Sequence, residues 1–353
     1  MKQHSFLTAL CLLFAAVPIT GQTIKSSMEF APSEHWVKPV EKPYREEICL
    51  NGTWAFAPVQ LPVGFKEGET PAPALPGVNE VTFSKTPIRI PSPWNVNSFA
   101  DKNGLGGDHL TYPSYPKEWE SIKMGWLQKK FTVPASWKGK RIQIHFEAVA
   151  GKADIYVNGK VVGDNFDIFM PFDIDITDAV KFGQENILNV GIQKSSLFDD
   201  RKSPLGRRTY QGGSFWGQHI AGIWQDVYLV ALPQTRVADV YIQPIVNKNT
   251  LEVEVTLRND ENKPVKVNIS AAAYPWISKA GKTVLTAANP SSQLGSQAAL
   301  QMPTQKVTIP AGKEIKTTLK TTVDNKLKLW SPSSPNLYGL VVKTSVNGKT
   351  NDT

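Results

Sequence analysis

The chain has 353 residues, 41% of them hydrophobic and 20% charged, enough for two globular domains with buried cores. The formal net charge of +8 is modest for that length, and the basic residues are scattered. Their densest group, Arg201, Lys202, Arg207 and Arg208, shares its segment with Asp199 and Asp200, so it reads as a solvated loop and no nucleic-acid partner is expected.

At the N-terminus Lys2 precedes the apolar run "FLTALCLLFAAVP". That run is too short to span a bilayer and has the length of a signal-peptide core. Residues 1–21 are therefore expected to be cleaved and the protein exported, periplasmic or secreted, with no membrane attachment afterwards. Cys11 lies in that run, which leaves Cys49 alone and no intrachain disulfide. Residues 22–45 are polar and proline-bearing and read as an extension.

From "CLNGTWAF" onwards the pattern is strand after strand. Between about Val59 and Glu120 lies a long stretch rich in Pro, Gly and aromatics, including Trp94, Phe99, Tyr112, Tyr115 and Trp119. Long loops in compact domains are often functional, and these aromatics suggest a pocket lining. In "RIQIHFEAV", Ile142, Ile144, Phe146 and Ala148 face one way while Gln143, His145 and Glu147 face the other. "ADIYVNGKVVGDNFDIFMPFDIDIT" reads as a strand, an Asn-Gly turn, a second strand, an acidic loop and a third strand. Asp167 sits in that loop between Phe166 and Phe169, either as a turn residue or as a polar group held towards a ligand. "ILNVGIQ" and "GIWQDVYLV" follow, and a boundary falls near Pro233. About seven short strands come next, at the spacing of an immunoglobulin-like sandwich without its Cys-Trp-Cys core.

Several familiar sites are excluded. "GGSFWG" places Trp216 where a nucleophile elbow needs glycine. "GLGGDH" lacks the full dinucleotide-loop pattern. His35, His109, His145 and His219 have no metal-ligand spacing to one another or to Cys49, so neither a metal nor a cofactor is expected. The sequons at Asn51 and Asn268 are present, but Asn51 reads better as a turn before a strand.

The ordered run "KKFTVPASWKGKRIQIHFEAVAGKADIYVNGKVVGDN…FDIDIT…ENILNVGI…AGIWQDVYLV", with "LNGTWAF" and "IPSPWNVN" before it, resembles the N-terminal sugar-binding domain of glycoside hydrolase family 2. "LWSPSSPNLYGLVVK" resembles the close of that family's immunoglobulin-like domain. The resemblance covers roughly residues 46–346. It implies an all-β fold: a jelly-roll sandwich over 46–233, then an immunoglobulin-like sandwich over 234–346. Residues 347–353 would be a link to a (β/α)₈ barrel carrying the two catalytic glutamates of a retaining β-glycosidase, about 5–5.5 Å apart. No such barrel follows here, so no catalytic residue is carried over and the chain alone is expected to be inactive. By the same resemblance Asp167 takes the position of a sugar-contacting acidic residue, and His109, in "HLTYP", stands where an Asn is usual. The substrate would be an oligosaccharide or glycoside, and the orphaned barrel-docking surface would favour self-association. A stand-alone carbohydrate-binding or structural β-sandwich protein is the alternative, marked by an exposed row of aromatics on one sheet face.

Overall fold

The structure, a computed structural model, describes residues 45–68, 71–95, 115–198, 220–277 and 294–353. The expected signal peptide and nearly all of the expected extension lie outside these residues, as do Phe99, His109 and Tyr112. Among the described residues the only helical elements are short 3₁₀ turns.

The first sandwich is built from β1 (Glu46–Cys49), β2 (Gly52–Val59), β3 (Ile88–Ile90), β4 (Met124–Thr132), β5 (Arg141–Phe146), β6 (Val149–Val157), β7 (Lys160–Asp167), β8 (Phe172–Asp175), β9 (Glu185–Gln193), β10 (Gly222–Ile223) and β11 (Val227–Leu232). One sheet runs β1-β11-β5-β8; the other runs β10-β6-β9-β4-β2-β3, with β7 paired to β6. Period-two alternation supplies the core. Ile142, Ile144 and Phe146 of β5 and Val227, Leu229 and Ala231 of β11 meet Ala153, Ile155 and Val157 of β6 and Leu188, Val190 and Ile192 of β9. Asn51 is a buried corner pin: its Nδ2 donates to Asp226 Oδ1 (3.0 Å) and its Oδ1 accepts from Val227 N (3.0 Å).

Three of the aromatics expected to line a pocket, Trp94, Tyr115 and Trp119, do something else. Trp94, Tyr115 and Trp119 are buried with Phe56, whose ring lies 5.0 Å from Trp94 and 4.6 Å from Trp119. Phe56 stacks on Trp94 and meets Trp119 edge-on, and these large rings fill core space between the sheets. Farther along the same stretch, Leu61, Phe65, Leu75, Val78, Val81 and Phe83 pack over the outer face of the second sheet, on Ala57, Val59, Met124 and Trp126. That cover explains why β9 is buried on both faces and reads as a continuous apolar run.

The second sandwich contains β12 (Thr235–Ile245), β13 (Thr250–Asn259), β14 (Val265–Pro275), β15 (Leu300–Gln301), β16 (Gln305–Ile309), β17 (Glu314–Thr322), the short β18 (Trp330–Ser331) and β19 (Ser334–Pro335), β20 (Tyr338–Val346) and β21 (Lys349–Asp352). A three-stranded sheet, β12-β13-β17, faces a five-stranded one, β15-β14-β20-β21 with β16 on β14. Val253, Val255 and Leu257 pack there with Val267, Ile269 and Ala271.

Two expectations about the ends are corrected. Residues 347–353, expected as a link, hold β21, because Asn347 and Gly348 take positive φ (50° and 77°) and turn the chain back onto β20. Arg45, assigned to the extension, is tied into the second sandwich. Its Nε and Nη2 donate to fully buried Asp352 (2.9 and 2.7 Å), and Nη2 also donates to Val237 O (2.6 Å). Asp352 Oδ2 accepts a further bond from Val237 N (2.8 Å). Replacing Asp352 by Ala strands these donors, so urea unfolding should show a loss on the order of 3 kcal/mol; a change below about 1 kcal/mol would remove the pair from the structural framework.

Candidate functional site

The β6–β7 hairpin turns on Asn158 and Gly159, both at positive φ (53° and 81°), the requirement of a tight two-residue hairpin. Its register sets Asp167, the last residue of β7, opposite Gly151. Gly151 has φ 122°, and a Cβ there would sit 2.3 Å from Gln193 O, so no larger residue fits. Beyond Asp167 the chain bends sharply, and one carboxylate oxygen organises the bend. Oδ1 accepts from the backbone N–H of Ile168 (2.5 Å), Phe169 (2.8 Å) and Met170 (2.9 Å). The N–H groups of Phe169 and Met170, with Ile168, hold the carboxyl below its ordinary pKa. Among the described residues no hydrogen bond reaches Oδ2.

Trp224 props the turn from behind. Its Nε1 donates to Ile168 O (2.7 Å), and its ring meets Phe169 edge-on at 5.9 Å. Ile168 is buried, whereas Phe169 and Met170 are more than half exposed. Trp224 follows β10, which pairs with β6 at Val149 and Ala150. The same short strand anchors the proline–tryptophan segment: Ser92 N donates to Ile223 O (3.0 Å), Trp94 N to Ala221 O (3.1 Å), and Ala221 N to Asn95 Oδ1 (2.8 Å). Ser92, Trp94 and Asn95 of that segment and the Asp167 turn, about seventy residues apart in sequence, thus share one rim of the first sandwich.

Of the residues singled out from sequence, Asp167 is on this rim and His109 lies outside the described residues. Trp94 is no sugar platform: it is fully buried and its Nε1 donates to Ile122 O (3.0 Å). Phe166 packs against Phe198 with ring centres 4.9 Å apart. Two rim residues escaped the sequence reading. Trp224 carries no signal of its own in the sequence, yet it holds the turn. Asn165, two residues before Asp167 on the same face of β7, has Nδ2 buried with no acceptor among the described residues. Asn165 and Asp167 alternate in the sequence, which was the available signal.

Chemically, the turn offers an ionised acceptor beside an exposed apolar edge. A carboxyl with lowered pKa suits hydrogen bonds from hydroxyls and is a poor general acid.

The fold is an all-β pair, a jelly-roll sandwich followed by an immunoglobulin-like one. Residues 48–233 match the sugar binding domain of glycosyl hydrolases family 2, and residues 235–353 match a second model of that family. The chain belongs to glycosyl hydrolase family 2. It is 29% identical over 292 residues to a β-glucuronidase of Formosa agariphila, covering 78% of this chain and 26% of that protein. It is 24% identical over 304 residues to a β-galactosidase of Priestia megaterium, covering 83% and 26%. The crystal structure of a Bacteroides uniformis β-glucuronidase shares the fold, with TM-score 0.58 and 20% identity over 87% of this chain and 31% of that one. The chain spans about a quarter of the length of these two curated relatives.

Asp167→Ala removes the acceptor of three backbone donors and should cost about 1 kcal/mol. The charge dependence has a definite sign. Because the folded pKa is lowered, the carboxylate's stabilisation is complete above the ordinary value of 3.8 and is lost as pH falls through the folded pKa. Urea midpoints of the wild type and Asp167→Asn should therefore differ near neutral pH and converge in acid. Equal midpoints at pH 7 would deny the turn its electrostatic component.

Proposed function

We propose that these two sandwiches serve as the non-catalytic N-terminal part of an exported family 2 β-glycosidase that degrades oligosaccharides. They scaffold the catalytic barrel and complete its sugar pocket from the rim carrying Asp167. The observation that carries this reading is the pair of consecutive family matches over 48–233 and 235–353, a stretch equal to about a quarter of the glucuronidase and galactosidase relatives. Export rests on the apolar N-terminal run behind Lys2. The stand-alone reading asks for a row of aromatics on one sheet face. Among the described residues the exposed ones, Phe169, Tyr241, Trp276 and Trp330, sit on separate elements instead.

A docking surface for the barrel is suggested by one end of the second sandwich. Trp276, Ile277, Leu329, Trp330 and Leu337 are each 45–67% exposed. Trp276 N donates to Leu337 O (2.8 Å) and Asn336 Nδ2 to Leu329 O (2.9 Å), which draws these apolar groups together. Clusters of this kind mark interaction surfaces and promote association when uncovered. The 353-residue chain should therefore self-associate at high concentration, and Leu329→Ser with Trp330→Ser should suppress it in sedimentation velocity. A strictly monomeric wild-type chain would count against the surface.

The test of the reading is kinetic. The purified 353-residue chain should not turn over nitrophenyl β-galactoside, β-glucuronide or β-mannoside, because the described residues form two β-sandwiches rather than the barrel that would position an acid and nucleophile pair. In a barrel-containing enzyme bearing this rim, Asp167→Asn keeps a turn acceptor but removes the charge. A sugar-contacting role then predicts a fall in kcat/KM of roughly tenfold or more, and unchanged kinetics would take Asp167 out of the pocket.

A further inference from the structure

A second concave site lies on the outer face of the seven-stranded sheet, apart from the rim. Its floor crosses β4, β6 and β9. Trp126 lies over Gly191, where a Cβ would come within 2.8 Å of the indole ring, so the glycine is what lets the ring lie flat on the sheet. Tyr156 meets Trp126 edge-on at 5.5 Å. Lys152 and Asp154 occupy the next positions of the same face of β6 and pair at 2.5 Å. The roof is the backbone of Ala74–Val78, fastened by Trp126 Nε1 donating to Pro76 O (3.0 Å) and Gln193 Nε2 donating to Pro73 O (2.5 Å). The space between floor and roof is about 300 Å³.

We infer that this cavity is a binding site for a neutral pyranose residue of a glycan, separate from the pocket that Asp167 would complete. The volume is at the small end of ligand sites, matching one sugar ring. The charges lining the floor cancel within the Lys152–Asp154 pair, which favours a neutral ligand over an anion or a cation. What the pair leaves over is complementary to vicinal hydroxyls: further ammonium N–H donors, and acceptor capacity on the carboxylate. Tyr156 is only partly buried and its Oη makes no hydrogen bond among the described residues, so it adds a donor, an acceptor and the exposed part of its own ring, whereas Trp126 beneath it is buried. Two prolines and two side-chain bonds fix the roof, so little ordering cost falls on binding.

The site is independent of any barrel and is tested on the 353-residue chain. Cellohexaose, laminarihexaose, xylohexaose and galactotetraose are titrated by calorimetry and by the fluorescence of the tryptophans. At least one should bind, with Tyr156→Ala and Asp154→Asn each weakening it roughly tenfold or more, about 1.4 kcal/mol. Thermal melts accompany each variant, and Asp154→Asn, which conserves shape, covers the case in which Tyr156→Ala fails to fold. Failure of all four glycans to bind, or binding indifferent to both cavity variants, would overturn the proposal. None of these outcomes bears on the kinetic test of the barrel reading.

Discussion

The register of the β6–β7 hairpin is the constraint on which the rest depends. Three sets of residues ride on β6. Ala153, Ile155 and Val157 face the core; Lys152, Asp154 and Tyr156 face the outer cavity; and Gly151, at the end, stands opposite Asp167. A slip of one residue would exchange the first two sets and put charge between the sheets. The positive φ of Asn158 and Gly159 fixes the hairpin register at the turn, and the close approach of Gly151 to Gln193 O seats β6 against β9 at the other end. Core, cavity and rim are therefore outcomes of one pairing.

Around that hairpin the structure solves a covering problem. The seven-stranded sheet has an outer face of Ala57, Val59, Met124 and Trp126 that would be wetted if left bare. Leu61, Phe65 and the residues over 72–83 bury it, and the cavity is the part of the face that this cover spans without filling. Trp126 and Gln193, through their bonds to Pro76 and Pro73, decide where the cover sits. At the other margin, Arg45 and Asp352 bind two chain positions 307 residues apart, so the strand that opens the first sandwich and the strand that closes the second are stabilised together.

Much of this was legible in the sequence where the cause is local. The alternation of Ile142, Ile144 and Phe146 against Gln143 and His145 is the alternation of β5, and the Asn-Gly dipeptide at 158–159 is the hairpin turn. Asn51 as a pre-strand corner follows from the same logic. What was not legible depends on distant partners. No period marks Leu61, Phe65, Leu75 and Phe83 as a cover, because irregular backbone carries them. Trp94, Tyr115 and Trp119 were expected at a pocket because proline-rich surroundings resemble a surface loop; contacts of Trp94 and Trp119 with Phe56, and of Tyr115 with Trp119, placed them inside. The Asn347–Gly348 turn used a signal as plain as that of 158–159, and only the expectation of a link obscured it.

For the rim, the turn role and the ligand role of Asp167 are compatible, because they use different oxygens. Oδ1 is committed to three backbone N–H groups, and that commitment both orients the carboxylate and keeps it ionised. An acceptor fixed in this way would need no reorganisation to meet a hydroxyl donor, which is the advantage of preorganised sites. The most direct measurement is the NMR titration of the Asp167 carboxyl carbon in the 353-residue chain. The expected midpoint lies below the ordinary 3.8, with the Phe169 and Met170 amide protons moving in step. A midpoint at or above that value, with those amides unmoved, would contradict a formed and charged acceptor turn at the rim.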